Sequence, residues 1–242
     1  MRFAVVALLV GYVMPSYSVI KRMAERRDKL ELTALKVDGT VTVPAPAAAD
    51  YANALGVTAA TGELVLNGTV SMRFPARCRL ELGSLDSTKT VAAVSANGKR
   101  RTEGAEIAAL QVAADEICAV LALRGADDGD SRASVERHLS ALKIDTRQSS
   151  LARFSGNLAY VVGNPAAGSP QLWVFKSDAF QPARLRFNDD KGVQWDVKFI
   201  DYASQASDTF PRLVEVWKGD ALQLRFTTLG TDVKPKLDDK AF

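Results

Sequence analysis

The chain has 242 residues, enough for one large domain or two small ones, and with 47% apolar residues it can bury a sizeable core. Its net charge is +3, with Lys and Arg spread along the chain and no basic tract interleaved with aromatics, which excludes the electrostatic footprint of a nucleic-acid binder. The two short basic clusters, Arg26-Arg27 and Lys99-Arg100-Arg101, read as solvated faces or turns.

Residues 1–18 predict a secretory signal. Arg2 supplies a minimal positive start, Phe3 to Met14 is a continuous apolar run, and Pro15 breaks it. Ser16 and Ser18 then place small residues where a signal peptidase would cut after Ser18, leaving a mature domain over 19–242. The run is shorter than the about 20 apolar residues a membrane span needs. An uncleaved N-terminal anchor is the alternative. No Cys lies near the cut, which argues against a lipoprotein anchor, and no later stretch is apolar enough to span a membrane.

Ile20, Met23, Arg27 and Leu30 lie at helical spacing among charged neighbours and predict a short amphipathic helix. Leu35, Val37, Val41 and Val43 alternate with polar residues and predict a strand. Residues 44–49 are Pro/Ala-rich and read as a loop before a helical turn over Tyr51–Leu55. From Leu64 to Leu82 the even positions are apolar, including Leu66, Val70, Met72, Phe74, Cys78 and Leu80, while the odd ones are mostly polar. One face is dry and the other wet, as in an antiparallel sheet with one solvated side. Asn67-Gly68 is a hairpin signal and Pro75 marks an edge or bulge, so one bent strand and two strands both fit. Val91–Ser95 is a further strand, ended by Asn97-Gly98.

Residues 105–123 change texture. Ile107, Leu110, Ala114, Ile117 and Leu121 share a helical face. Gly125–Asp130 is a polar break, and Ser131 or Ser134 is suited to cap a second helix carrying Val135, Leu139 and Leu142. From Leu151 the period returns to two, with strands expected over 152–154, 158–162, 171–176, 182–188, 193–200, 212–218 and 221–228. Short Gly-bearing turns at 189–192 and 218–220 favour hairpins. Hairpin-linked strands with segregated helices predict an α+β fold, not an alternating parallel one.

The residue census offers no catalytic signature and no cofactor or metal motif. His138 is the single histidine and lies in the second central helix without partners for a triad or metal site. Cys78 lies on an apolar strand face, which favours burial over nucleophilic chemistry. The Asp pairs at 127–128, 189–190 and 238–239 read as solvated turn or tail acids, and the loop 163–168 lacks the helix a phosphate cradle needs. Cys78 and Cys118 leave two readings open: a disulfide tying a helix to the sheet, or two buried thiols. The large apolar side chains Phe74, Leu80, Trp173, Phe175, Phe187, Trp195, Val197, Phe199, Trp217 and Phe226 also leave two readings: sheet-on-helix packing, or the lining of a cleft for an apolar ligand.

Four segments carry a family resemblance. They are Val37-Asp38-Gly39-Thr40-Val41 after the first helix, the run Gly68 to Leu80 with Arg73, Pro75 and Arg79, the turn Ser95-Ala96-Asn97-Gly98, and the tail Leu237-Asp238-Asp239-Lys240-Ala241-Phe242. On these the chain resembles the periplasmic lipoprotein carriers of the LolA/LolB type, among the outer-membrane lipoprotein-sorting proteins. The resemblance implies an incomplete antiparallel β-barrel, a curved sheet whose concave face is covered by an N-terminal helix and central helices. It implies an apolar cavity for lipoprotein acyl chains or another lipid, with Arg73 or Arg79 as the basic residue that helps hold the helical lid, and no catalysis. In this chain Phe74 separates Arg73 from Pro75, and Lys99-Arg100-Arg101 stands where an aromatic is expected. The same group holds sensor modules, so an envelope sensor or protein-interaction domain is the alternative.

Overall fold

The computed structural model describes residues 13–45, 47–58, 62–124, 131–202 and 209–242. Among these, four helices accompany one antiparallel sheet of 12 strands. No described helix is long and apolar enough to cross a membrane. The expected signal segment lies largely outside the described residues, as does the polar break at 125–130.

Helix α1 (Ser16–Asp28) forms because Val19, Ile20, Met23, Ala24 and Arg27 recur at three- and four-residue steps and are all buried. Arg26 and Arg27 in its last turn complement the negative end of the helix dipole. Helix α2 (Ala48–Leu55) turns the loop back onto the core through Tyr51, Ala52 and Leu55, and ends at Gly56 in the left-handed conformation. Helices α3 (Ala108–Leu121) and α4 (Ser131–Ala141) follow the first set of strands.

The sheet consists of two meanders. The first is β1 (Ala34–Val43), β2 (Leu64–Arg73), β3 (Arg77–Gly83), β4 (Thr90–Ala96) and β5 (Lys99–Glu103). The second is β6 (Ser149–Phe154), β7 (Asn157–Gly163), β8 (Gln171–Phe175), β9 (Pro182–Asn188), β10 (Gln194–Ile200), β11 (Leu213–Lys218) and β12 (Ala221–Asp232). Pairing of β1 with β12 joins them, and β5 and β6 remain the two outer strands, so the barrel is incomplete. Helix α3 touches β3 and β4 on one arm and β9 to β12 on the other, which places it inside the curve. The fold is therefore the expected curved α+β sheet with helices on its concave side.

Several local expectations change. Asn67-Gly68 is not a turn: Gly68 lies within β2, opposite Gly39 of β1. A Cβ at Gly68 would come within 2.7 Å of Val41 and 2.9 Å of the Phe226 ring, and one at Gly39 within 2.4 Å of the Thr227 carbonyl and 2.6 Å of the same ring. The glycine pair makes room for Phe226, and a bulge at Asp38/Gly39 accompanies it. The hairpin falls instead at Phe74–Ala76, giving two strands. Lys99-Arg100-Arg101 is exposed, as expected, but extended, as the charged outer strand β5. Arg27 is not solvated: it is 4% exposed. Ser131 opens α4, but its hydroxyl donates to the Asp28 carboxylate at 2.6 Å, linking α4 to α1.

Candidate functional site

The apolar interface between the sheet and the helices is the candidate site. Strand alternation points Leu80, Phe187, Trp195, Val197, Phe199 and Phe226 toward it, and all are 7% exposed or less. The same parity puts Met72, Leu82, Val214, Val216 and Leu224 on that face. From the helices, Leu110, Ile117, Leu121, Val135 and Leu139 complete a continuous apolar body. Phe74 sits at the β2–β3 turn, partly buried against this body. Phe175, expected in the same lining, is buried instead on the outer side of the sheet: it shares the strand parity of Trp173, and the Phe154 ring that touches Trp173 lies 6.1 Å from it, with Tyr202 at 6.3 Å.

Trp173 departs from the expected set. Leu172 and Val174 are fully buried, so the residue between them takes the opposite, outer face. Its register partner is Arg184, whose guanidinium lies 5.4 Å from the indole, and its indole N–H donates to Gln171 at 3.0 Å. Trp173 belongs to a polar layer outside the sheet. There Arg184 pairs with Asp196, Arg225 with Glu215 at 2.9 Å, and Lys198 lies 4.0 Å over the Trp217 ring. Asp196 and Glu215 are buried although solvent-facing by parity, because these long side chains fold over them. Burial lowers the Lys198 ammonium, against the pull of Asp196. The period-two pattern carried no sign of this layer beyond its polar alternation.

Arg73 and Arg79 are also not where a lid contact requires. Both occupy odd positions on the wet face. Arg73 pairs with Asp239 of the C-terminal tail. Arg79 pairs with Glu81 at 2.5 Å and Glu103 at 2.7 Å, and lies 3.5 Å from the Ala241 carbonyl. Arg27 instead joins α1 to α3: its buried guanidinium donates twice to the Leu121 carbonyl at the end of α3, at 3.1 and 2.5 Å. A basic residue on a mostly apolar helix face was its one sequence signal.

Further contacts fasten α3. Cys78 and Cys118 form a disulfide between β3 and α3. The Ala76 N–H donates to the Ala122 carbonyl at 2.9 Å. Arg100 reaches Asp115 at 2.6 Å, and burial pushes that carboxyl up against the attraction of Arg100. Gln111 donates to Asp115 at 3.0 Å. Tyr51, almost fully buried, has its phenol raised by burial.

His138 on α4 lies 2.7 Å from Glu116 on α3, itself 2% exposed. Burial acts to lower the imidazole, but the Glu116 carboxylate and its hydrogen bond outweigh that, and the net shift is upward. A raised folded value means that the charged pair stabilises fully below the free-imidazole value of about 6.5 and that this contribution is lost as pH rises through the folded value. The gap in thermal midpoint between wild type and His138→Gln is therefore expected to be wider at about pH 5.5 than at about pH 9. Equal gaps at the two pH values would show that the pair is not charged in the folded state. Among the described residues, no group of three or more His, Cys, Asp or Glu could hold a metal ion.

No protein-family model matches the sequence, and no curated protein matches it. Solved structures do match the fold. A LolA superfamily protein of Nitrosomonas europaea is 10% identical, with a TM-score of 0.51 over 95% of this chain and 98% of that one. A DUF1329 family protein of Desulfovibrio piger is 11% identical, with a TM-score of 0.43 over 93% and 96%. The first of these makes the fold LolA-like.

Proposed function

We propose that the chain is an envelope carrier that holds the acyl chains of a lipoprotein, or of another lipid, between the curved sheet and its helices, without catalysis. The observation that carries this reading is the site itself. Two sheet arms converge on α3, and Leu80, Phe187, Trp195, Val197, Phe199 and Phe226 give that interior a large apolar wall, with the Trp195 indole N–H turned to Asp189 at 3.1 Å. These side chains are covered, so ligand entry requires the helices to shift. The disulfide holds α3 to β3, whereas α1 and α4 meet it through Arg27 and His138, which makes α1 and α4 the moving part. A disulfide also suits an oxidising compartment and so supports export to the periplasm.

The test pairs lipid extraction with probe binding. Organic extracts of native protein are expected to contain lipid, and a long-chain fluorescent fatty acid is expected to bind wild type and to bind Trp195→Ala and Phe74→Ala more weakly. The covered state of Trp195, Val197, Phe199 and Phe226 favours a second reading, an envelope sensor or protein-interaction domain with a plain core. Absence of both extracted lipid and probe binding in wild type would sink the carrier and leave that domain standing.

Export has its own check. Protein from the envelope fraction is expected to begin at Val19 or within a few residues of it. Helix α1 starts at Ser16, whose hydroxyl bonds the Thr146 carbonyl, and Ser149 donates to the Met14 carbonyl at 2.8 Å. A cut after Ser18 removes these ties and keeps the buried anchors Val19, Ile20 and Met23. Recovery of intact protein from the cytoplasm alone would overturn the export reading.

A further inference from the structure

We propose that the outer face of β2, β3 and β5 is a docking groove for an acidic peptide segment of a partner protein, and that the C-terminal tail of this chain occupies it as an internal competitor. This goes beyond the lipid-carrier reading and rests on different residues. Arg73 of β2 and Arg77 of β3 are direct register partners, and both point to the wet side. Like charges directly opposite one another across two strands repel, so the pair calls for an anion between them. Asp239 supplies it: its Oδ1 pairs with Arg73 and lies 3.4 Å from Arg77. Two residues further on, the Ala241 carbonyl lies 3.5 Å from Arg79 and 3.4 Å from Arg101. Arg79 and Arg101 lie in one row across β3, β4 and β5, each opposite Val94. They already share Glu103, and Arg79 also holds Glu81, so they offer donors to a backbone carbonyl rather than a need for charge. The groove thus reads one carboxylate and, two residues later, one main-chain oxygen. That is the recognition of a peptide.

The tail is seated weakly. It leaves the sheet after Asp232, and its one ordered turn, Asp239–Ala241, buries no residue. The Asp239 side chain is 66% exposed in its pairs with Arg73 and Arg77. Exposed pairs of this kind are screened by salt and exchange readily, so a second acidic segment at higher local concentration can replace the tail.

The test uses the full chain and a fluorescein-labelled peptide of residues 235–242, Pro-Lys-Leu-Asp-Asp-Lys-Ala-Phe. Asp239→Asn frees the groove while leaving Arg73 and Arg77 intact. By fluorescence anisotropy at low salt, it is expected to bind the peptide about 10-fold more tightly than wild type does. Adding Arg77→Gln to Asp239→Asn is expected to remove the gain, with the thermal midpoint as the control for folding. A peptide carrying Asn in place of its second Asp is expected not to bind. Equal peptide binding by wild type and Asp239→Asn, or none by either, would overturn the proposal. Binding of Asp239→Asn to phosphatidylglycerol vesicles but not to the peptide would also overturn it, by assigning the groove to a lipid headgroup.

Discussion

Phe226→Ala is expected to lower stability by about 3–5 kcal/mol, read as a drop in denaturant midpoint at constant m-value. The ring is 1% exposed, meets Phe210 edge-on at 6.1 Å, and lies over the glycine pair where the two meanders join. The sharper statement concerns coupling. Gly68→Ala alone is expected to cost about 1–3 kcal/mol, because its new methyl would strike the Val41 and Phe226 side chains. With Phe226 already reduced to Ala, one of those two clashes disappears, and the cost of Gly68→Ala should fall. Gly39→Ala is the control. Its methyl would also meet the Thr227 carbonyl, a backbone atom that no side-chain change removes, so its cost should persist in the Phe226→Ala background. Strict additivity of Gly68→Ala with Phe226→Ala would refute the account of why these glycines stand in mid-strand.

Loss of the disulfide is the second large effect. The bridge closes a sequence separation of 40 residues, and both half-cystines are buried. Cys78→Ala with Cys118→Ala is expected to cost about 2–4 kcal/mol, as is reduction of wild type under native buffer. The double variant should be insensitive to reductant. Alkylation of denatured protein should block two more thiols after reduction than before it. Identical midpoints for oxidised and reduced wild type would show that the link does not constrain the chain. If the carrier reading holds, reduction should also raise probe on-rates, since α3 is then free to move with α1 and α4.

Much of the sheet was legible because a strand fixes the face of each residue relative to its neighbours. The alternation from Leu64 to Leu82 assigned Met72, Cys78, Leu80 and Leu82 to the buried side, and the alternation around Trp195 did the same for Val197 and Phe199. It likewise set Arg73 and Arg79 on the wet side, where the structure has them. The resemblance alone suggested a lid role for these two. The helical spacing of Ile20, Met23 and Arg27 gave α1 its buried stripe. Trp173 matches the interior aromatics in size, but its strand parity opposes Leu172 and Val174. At that position strand parity, not hydrophobicity, decides the face.

Local periodicity sets the α+β class, the hairpin-linked strands, the amphipathic helices and the dry side of most strands, though not the charged outer strand β5. These follow from periods of 2 and 3.6 residues, which are properties of a local backbone. The tertiary structure decided what depends on residues far apart in the chain. It paired β1 with β12, seated Phe226 over Gly39 and Gly68, joined Cys78 to Cys118, sent Arg27 to the end of α3, and laid Asp239 between Arg73 and Arg77. The partner in each case has no local signal, even where the residue itself stands out, as Arg27 does on an apolar helix face, because partners are selected by the fit of surfaces distant in the chain.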